Sequence, residues 1–218
     1  MASQVNRPNQ QKKTKDRAQQ LMDYLNTYPN AYIRYYASNM VLHVDSAAEY
    51  LVEPKAKSCI AGYFHLSDHP NITKHPKLNS AILVECKTLR HVVSSSAEAE
   101  VSGIFHNATT AIPIRHILKA LNHPQPPTPL KTDNTTATGL VYNNIHQKRS
   151  KSWDMWYHWL RDKHTQQQVD IFWQSGATNE ANYFTKHHPT KLHRHQRAKY
   201  VSDKLIQFLR MRCPVRVC

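Results

Sequence analysis

The hydrophobic pattern of this chain changes its period near residue 92, and the change separates a region of strands from a region of helices. Three mainly apolar runs come first: 40–44 (MVLHV), 58–64 (SCIAGYF) and the run AILVECKTL that begins at Ala81. A polar, proline-containing connection separates the second run from the third. Runs of this length, bounded by polar turn residues, predict an antiparallel meander of three strands.

A helical period follows the segment 92–101 (VVSSSAEAEV). Its apolar positions have the spacing i, i+3, i+4 and i+7: Val101, Ile104, Phe105 and Ala108. This spacing predicts a helix with one buried face. Pro113 should break or restart that helix, and the apolar residues of 114–121 predict a second helical stretch.

The second half of the chain continues the alternation of strands and helices. A proline-rich connector precedes the short strand PLKT, which ends at Asp133, and a short helix is expected from about Asn134. A further helix is predicted by the aromatic and apolar spacing of Trp153, Trp156, Tyr157 and Leu160, whose aromatic rings we interpret as core and not as base-stacking groups. The strand VDIFW and a helix over 179–184 follow. The order β-β-β-α-β-α-β-α predicts an α/β (α+β) domain with a mixed sheet and helices packed on it.

Charge narrows the choice of partners. The 218 residues carry a formal net charge of +14, with a pI near 9.7. Such a field favours a polyanion, most simply nucleic acid, although the terminal segments 1–18 and 186–218 hold many of the cations. No apolar run reaches the ~18 residues of a membrane span. The first residues lack the apolar part of a secretory signal, so we expect no membrane partner and an intracellular protein, cytoplasmic or nuclear.

Two glutamates of the segment 92–101 have different expected roles. With Ser95 as the N-cap, Glu98 falls at the third helical position, which is the spacing of a capping box. Glu100 has no capping role and lies beside the predicted core face. A carboxylate there either reaches solvent at the edge of that face or needs a cationic partner.

Two further acids follow predicted strands. Asp45 ends the run MVLHV, and Asp133 ends PLKT. Each is compatible with an ordinary turn or helix-cap aspartate. Taken with Glu100, they also predict three converging carboxylates, which in a basic protein would form a Mg²⁺ site facing a phosphate backbone.

Five segments, in order, resemble the RNase H domain at the C-terminal end of copia-type retrotransposon polyproteins. They are MVLHVDSAAEYL, VVSSSAEAEV, PLKTDNTTA, QKRSKSWDMWYHWLRDK and NEANYFTKHHP. The resemblance covers about residues 21–189, and we take the chain as a C-terminal fragment of such a polyprotein. It implies an RNase H-like domain over 31–189, a basic tail and connecting helix over 1–30, and a basic tail over 190–218.

The resemblance implies a five-stranded mixed sheet, with three antiparallel strands first, flanked by helices. The implied activity is hydrolysis of RNA in an RNA/DNA hybrid with Mg²⁺ (or Mn²⁺). The implied metal-binding acids are Asp45, Glu100 and Asp133. The family's fourth acid is replaced here by Asn182, an amide without negative charge, so the second metal would be held less tightly and cleavage would be weakened. A catalytically inactive nucleic-acid-binding remnant is the alternative, and a protein-interaction or assembly module is a third.

Contacts to the substrate are expected beside the acids and in one basic loop. Asn134 and Thr135, at a predicted helix start, would hold a phosphate through backbone amides. The loop before the Trp-rich helix contains Lys148, Arg149 and Lys151, which would contact phosphates or remain solvated. The histidine-rich segment after 186 is interpreted as a mobile cationic tail in preference to a zinc site.

Overall fold

A computed structural model describes residues 7–69, 77–135, 138, 139, 142, 151–186 and 188–202. The chain forms two compact units. The larger unit is residues 35–194, and the described part of the smaller unit is residues 7–34 and 195–202.

The larger unit contains a five-stranded mixed sheet. Its strands are β1 (Val41–Glu53), β2 (Lys57–Ser67), β3 (Ala81–Thr88), β4 (Thr128–Thr132) and β5 (Val169–Trp173). Their order across the sheet is β3-β2-β1-β4-β5. The first three strands are antiparallel, while β4 is parallel to β1 and β5 is parallel to β4. This confirms the predicted α+β fold class, a five-stranded mixed sheet that begins with three antiparallel strands and is flanked by helices.

The helices differ from the sequence prediction in two places. They are α1 (Arg7–Thr27), α2 (Ser96–Ala120), α3 (Lys151–Thr165), α4 (Asn182–Thr185) and α5 (Thr190–Tyr200), with a 3-10 turn at Gly176–Thr178. Pro113 lies within α2 without ending it, because the residues on both sides pack against the sheet and offset the lost backbone hydrogen bond. The start of the segment predicted as a C-terminal tail is the helix α5.

The core lies between α2 and one face of the sheet. Val101, Ile104 and Ala108 are buried there against Leu42 and Val44, as the helical spacing predicted. Phe105 is partly buried and stacks on Trp156 of α3, with ring centroids 5.4 Å apart. The aromatic face of α3 therefore belongs to the packing of the domain at this position.

In the second half of α2 the inward positions differ from the predicted ones. Arg115 and Leu118 are buried, and the Arg115 guanidinium donates to the carbonyl of Gln125 at 2.7 Å. Ile117 and Leu121 therefore fall on the outer side, where they are 60% and 62% exposed. Backbone carbonyls offset part of the cost of burying this guanidinium, and burial lowers its pKa.

The start of α2 is fixed by the predicted cap. Ser95 is the N-cap, and its hydroxyl accepts the Glu98 N–H at 3.2 Å. The Glu98 carboxylate accepts both the backbone N–H and the hydroxyl of Ser94, one residue before the position that a capping box would use. Glu98 therefore has a structural role at the start of the helix.

Within the smaller unit, an isolated antiparallel bridge joins Tyr32 to Ser202. The Arg197 guanidinium lies 3.9 Å from the ring centroid of Tyr28 and donates to the Tyr24 hydroxyl at 2.6 Å. Cation–π contact of this kind stabilises α5 against α1. In the described part of the chain, no helix has the length and apolarity needed to cross a membrane.

Candidate active site

Asp45 lies within β1 and not at the predicted end of a strand, because β1 continues to Glu53. Its side chain is on the face opposite Leu42 and Val44. Its side chain is 1% exposed. One carboxylate oxygen, Oδ1, lies 3.2 Å from the Nζ of Lys131, and the other accepts the backbone N–H of Glu180 at 3.1 Å. Lys131 is the β4 residue directly opposite Asp45 in the parallel register, so the two side chains share one face.

The pKa of Asp45 is raised above its ordinary value. Burial is the main cause, the Lys131 ammonium and the Glu180 N–H act in the opposite direction, and the Glu180 carboxylate adds to the rise. The ion pair with Lys131 therefore compensates part of the cost of burying this carboxylate.

Glu100 is buried on the first turns of α2. Its Oε1 accepts the N–H of Ala48 at 3.2 Å, and its Oε2 has no hydrogen-bond partner among the described residues. Burial, followed by the negative charge of Asp133, raises the pKa of Glu100 to about 8. At 8% exposure it does not reach solvent, which removes the alternative of a solvated residue at the helix edge. Near neutral pH it is mostly protonated.

Asp133 follows β4 and contacts Asn182 at the start of α4. The Asn182 Nδ2 donates to Asp133 Oδ2 at 3.1 Å and to the Gly176 carbonyl at 3.0 Å. The amide therefore presents a donor, not an oxygen ligand, to the carboxylate. Gly176 is required by close approach, since a Cβ there would lie 2.5 Å from Asp133 Oδ2.

Asn179 holds this segment against β1. It is buried, its Nδ2 donates to the carbonyl of Ser46 at 2.8 Å, and its Oδ1 accepts the N–H of Ala181 at 3.0 Å. These bonds fix the backbone between the 3-10 turn and α4. As a result, the Glu180 N–H reaches Asp45 while the Asn182 amide reaches Asp133.

Two residues at this site were missed by the sequence prediction. Lys131 had a detectable signal, a cation inside the short predicted strand and two residues before Asp133. Glu180 had no comparable signal in the sequence. The structure shows that its charge acts on Asp45, because the turn before α4, and not a continuous helix, sets its direction.

The arrangement does not fit a two-metal centre. Lys131 lies against Asp45, Asn182 directs a donor at Asp133, and Glu100 belongs to α2, which packs on the sheet face opposite Asp45. Among the described residues, no three His, Cys, Asp or Glu side chains are grouped so that they could hold a metal ion. The binding of Mg²⁺ or Mn²⁺ by Asp45, Glu100 and Asp133 therefore stays a prediction.

The structure describes only some of the other residues that were predicted to contact the substrate. Asn134 and Thr135 lie directly after Asp133, with Asn134 half-buried and Thr135 exposed. The Thr138 N–H donates to the Asn134 carbonyl at 3.3 Å, which is the hydrogen bond of a helical turn. Lys148 and Arg149 lie outside the described residues, as does the side chain of Lys151.

Solved structures with a similar arrangement of elements are RNase H domains. The N-terminal RNase H domain of a Mycobacterium tuberculosis protein is 10% identical, with a TM-score of 0.48 over 67% of this chain and 91% of that one. LC11-RNase H1, solved in complex with an RNA/DNA hybrid and isolated from compost, is 7% identical, with a TM-score of 0.44 over 66% and 91%. The RNase H domain of prototype foamy virus is 12% identical, with a TM-score of 0.40 over 66% and 88%.

No protein-family model matches the chain, and no protein with a curated function is similar to it. Since the identities and TM-scores of the solved structures are this low, they transfer no activity. The fold class rests on the strand order and directions of the sheet itself.

Proposed function

We propose that this chain is an RNase H-like domain of copia-type retrotransposon origin that binds RNA/DNA hybrids and whose metal-dependent cleavage is suppressed. The origin and the hybrid are supported by the five ordered sequence segments. The suppression is supported by one observation above all: the Asp45 carboxylate is ion-paired with Lys131 at 3.2 Å.

The electrostatics of the site favour binding over hydrolysis. A pair of divalent ions needs several ionised carboxylates that face a common space. Here Asp45 is ion-paired with Lys131, and the position of the fourth acid carries an amide. Asp45 and Asp133 are engaged separately, by the Lys131 ammonium and by the Asn182 amide, so neither carboxylate is free to bind a divalent ion.

The positive charge of the chain favours binding of a polyanion. The chain carries a formal net charge of +14, and the helix α5 (TKLHRHQRAKY) contains four Lys or Arg residues and no acid. A nucleic-acid backbone gains affinity from such cations through release of its counterions, without any need for a metal. We propose Asn134, Thr135, Lys148, Arg149 and Lys151 as further phosphate contacts. The proposed RNase H-like domain keeps the limits 31–189, and α5 adds cationic contacts beyond its end.

The test combines binding and cleavage on one substrate. A fluorescent RNA/DNA hybrid is titrated with the protein in EDTA and in Mg²⁺, and the RNA strand is then analysed on a denaturing gel. We expect similar affinity in both solutions, a decrease in affinity with added salt, and no cleavage by the parent protein. Double-stranded DNA of the same sequence serves as the competitor that measures preference for the hybrid.

Variants separate the two causes of suppression. Asn182→Asp restores the fourth acid, and Lys131→Met in the same chain removes the competing cation while keeping the side-chain length. Lys87→Met is the matched control, because Lys87 also forms a strand ion pair, at 2.7 Å with Glu85, but is half exposed. Cleavage that appears only in the double variant would support suppression by both residues. Cleavage by the parent that Asp133→Ala abolishes would overturn the proposal in favour of an active nuclease, and absence of hybrid binding would overturn it altogether.

A further inference from the structure

Two thiols lie close together on neighbouring strands, away from the site described above. The Sγ of Cys59 on β2 and the Sγ of Cys86 on β3 are 3.5 Å apart, and both cysteines are free. In the antiparallel register Cys59 is opposite Thr88 and Cys86 is opposite Ala61, so the two cysteines are diagonal neighbours. Diagonal side chains on one face of such a pair are within reach of each other.

The two thiols have different surroundings. Cys59 is 5% exposed, whereas Cys86 is exposed and its thiol donates to the carbonyl of Phe184 in α4 at 3.1 Å. Burial, followed by the contact with Cys86, raises the pKa of the Cys59 thiol to about 12. A reagent in solution therefore meets Cys86 first, since reaction requires an accessible thiolate.

We propose that Cys59 and Cys86 are an oxidation site that reacts with a low-molecular-weight disulfide and becomes an intrachain disulfide joining β2 to β3. In the first step the Cys86 thiolate attacks one sulfur of the oxidant, a mixed disulfide forms, and one thiolate of the oxidant leaves. In the second step Cys59 loses its proton to solvent and attacks the Cys86 sulfur, and the second thiolate leaves. Two protein thiols are thereby oxidised, and the oxidant is reduced to two thiols.

The geometry supports the second step. A disulfide bond is about 2.05 Å long, so the two sulfurs, already at 3.5 Å, must approach each other by about 1.5 Å. The two strands have to adjust with them, because diagonal positions are farther apart than directly opposite ones. The buried position of Cys59 shields it from the oxidant but not from Cys86. The reaction also removes the thiol hydrogen that Cys86 donates to Phe184, so oxidation changes how β3 holds α4.

The test uses the full chain with Cys213 and Cys218 changed to serine, so that only the two strand thiols remain. The protein is incubated with oxidised glutathione, quenched with acid, alkylated and analysed by peptide mass spectrometry. We expect an intact mass lower by two hydrogen atoms, a linked peptide pair containing Cys59 and Cys86, and loss of alkylation at both. Dithiothreitol should reverse all three changes.

A second variant makes the order of events visible. With Cys59→Ala, the reaction should stop at the mixed disulfide, which adds one glutathione at Cys86. With Cys86→Ser, Cys59 should remain reduced over the same time. A parent protein that accumulates glutathione on Cys86 while Cys59 stays reduced would overturn the proposal, as would a linked peptide found only after the protein is unfolded. Neither result depends on hybrid binding or cleavage.

Discussion

Replacement of Glu100 by glutamine should stabilise the protein, and the gain should grow with pH. The side chain is buried, and burial together with the charge of Asp133 raises its pKa from the ordinary 4.5 to about 8. Between these two pH values the folded protein keeps a proton that the unfolded chain releases. The free energy of unfolding therefore decreases as pH rises through this window, and the stabilising contribution of the protonated group is fully present only below about pH 4.5.

The size of the expected change in the free energy of unfolding follows from the pKa shift of Glu100. One pKa unit corresponds to about 1.4 kcal/mol, so the loss approaches roughly 5 kcal/mol above pH 8 and is about 3 kcal/mol at pH 7. Glutamine cannot ionise, and its amide oxygen can still accept the Ala48 N–H that Glu100 accepts at 3.2 Å. Glu100→Gln should therefore be within about 1 kcal/mol of the parent at pH 5 and about 3 kcal/mol more stable at pH 7.

Urea unfolding followed by circular dichroism, at several pH values between 5 and 8.5, measures this difference. Glu53→Gln, the same substitution at a partly exposed residue of β1, is the control and should change stability by no more than about 0.5 kcal/mol. A difference between Glu100→Gln and the parent that stays constant with pH would refute the reasoning, because only ionisation of Glu100 makes it pH-dependent.

Five other substitutions test the packing and charges of the larger unit, each by urea unfolding. Lys131→Met should cost about 3 kcal/mol or more because it leaves Asp45 buried without its cation, whereas Lys87→Met at the exposed pair should cost less than about 1 kcal/mol; equal losses would contradict this. Gly176→Ala should cost about 1–3 kcal/mol, since its Cβ would meet a carboxylate oxygen at 2.5 Å. Ser95→Ala should cost about 1 kcal/mol through loss of the α2 cap. The pKa of His43 is lowered from 6.5 to about 4 by burial, so the parent should lose about 3 kcal/mol relative to a His43→Asn variant as pH falls from 6.5 to 4, and an unchanged difference would contradict this.

Local pattern was enough to predict the strands, α2 and its cap. In a strand or helix with one buried face, apolar residues recur with the period of that element's backbone. The element can therefore be recognised from its own residues. The cap formed by Ser95 and Glu98 could be predicted for the same reason, because a helix cap is built from residues only a few positions apart. The pattern gave a wrong prediction where tertiary packing sets the local structure. Pro113 stays inside α2, and Arg115 occupies an inward position.

The fold class and the elements that carry Asp45, Glu100 and Asp133 could be predicted from the residue pattern. The contacts of those acids could not, because they depend on tertiary packing. Lys131 meets Asp45 through the register between β1 and β4, and Asn182 turns its donor to Asp133 because Asn179 anchors the preceding turn. Such contacts join residues that are distant in the chain. The local spacing of apolar residues therefore does not predict which cation or amide lies beside a buried carboxylate.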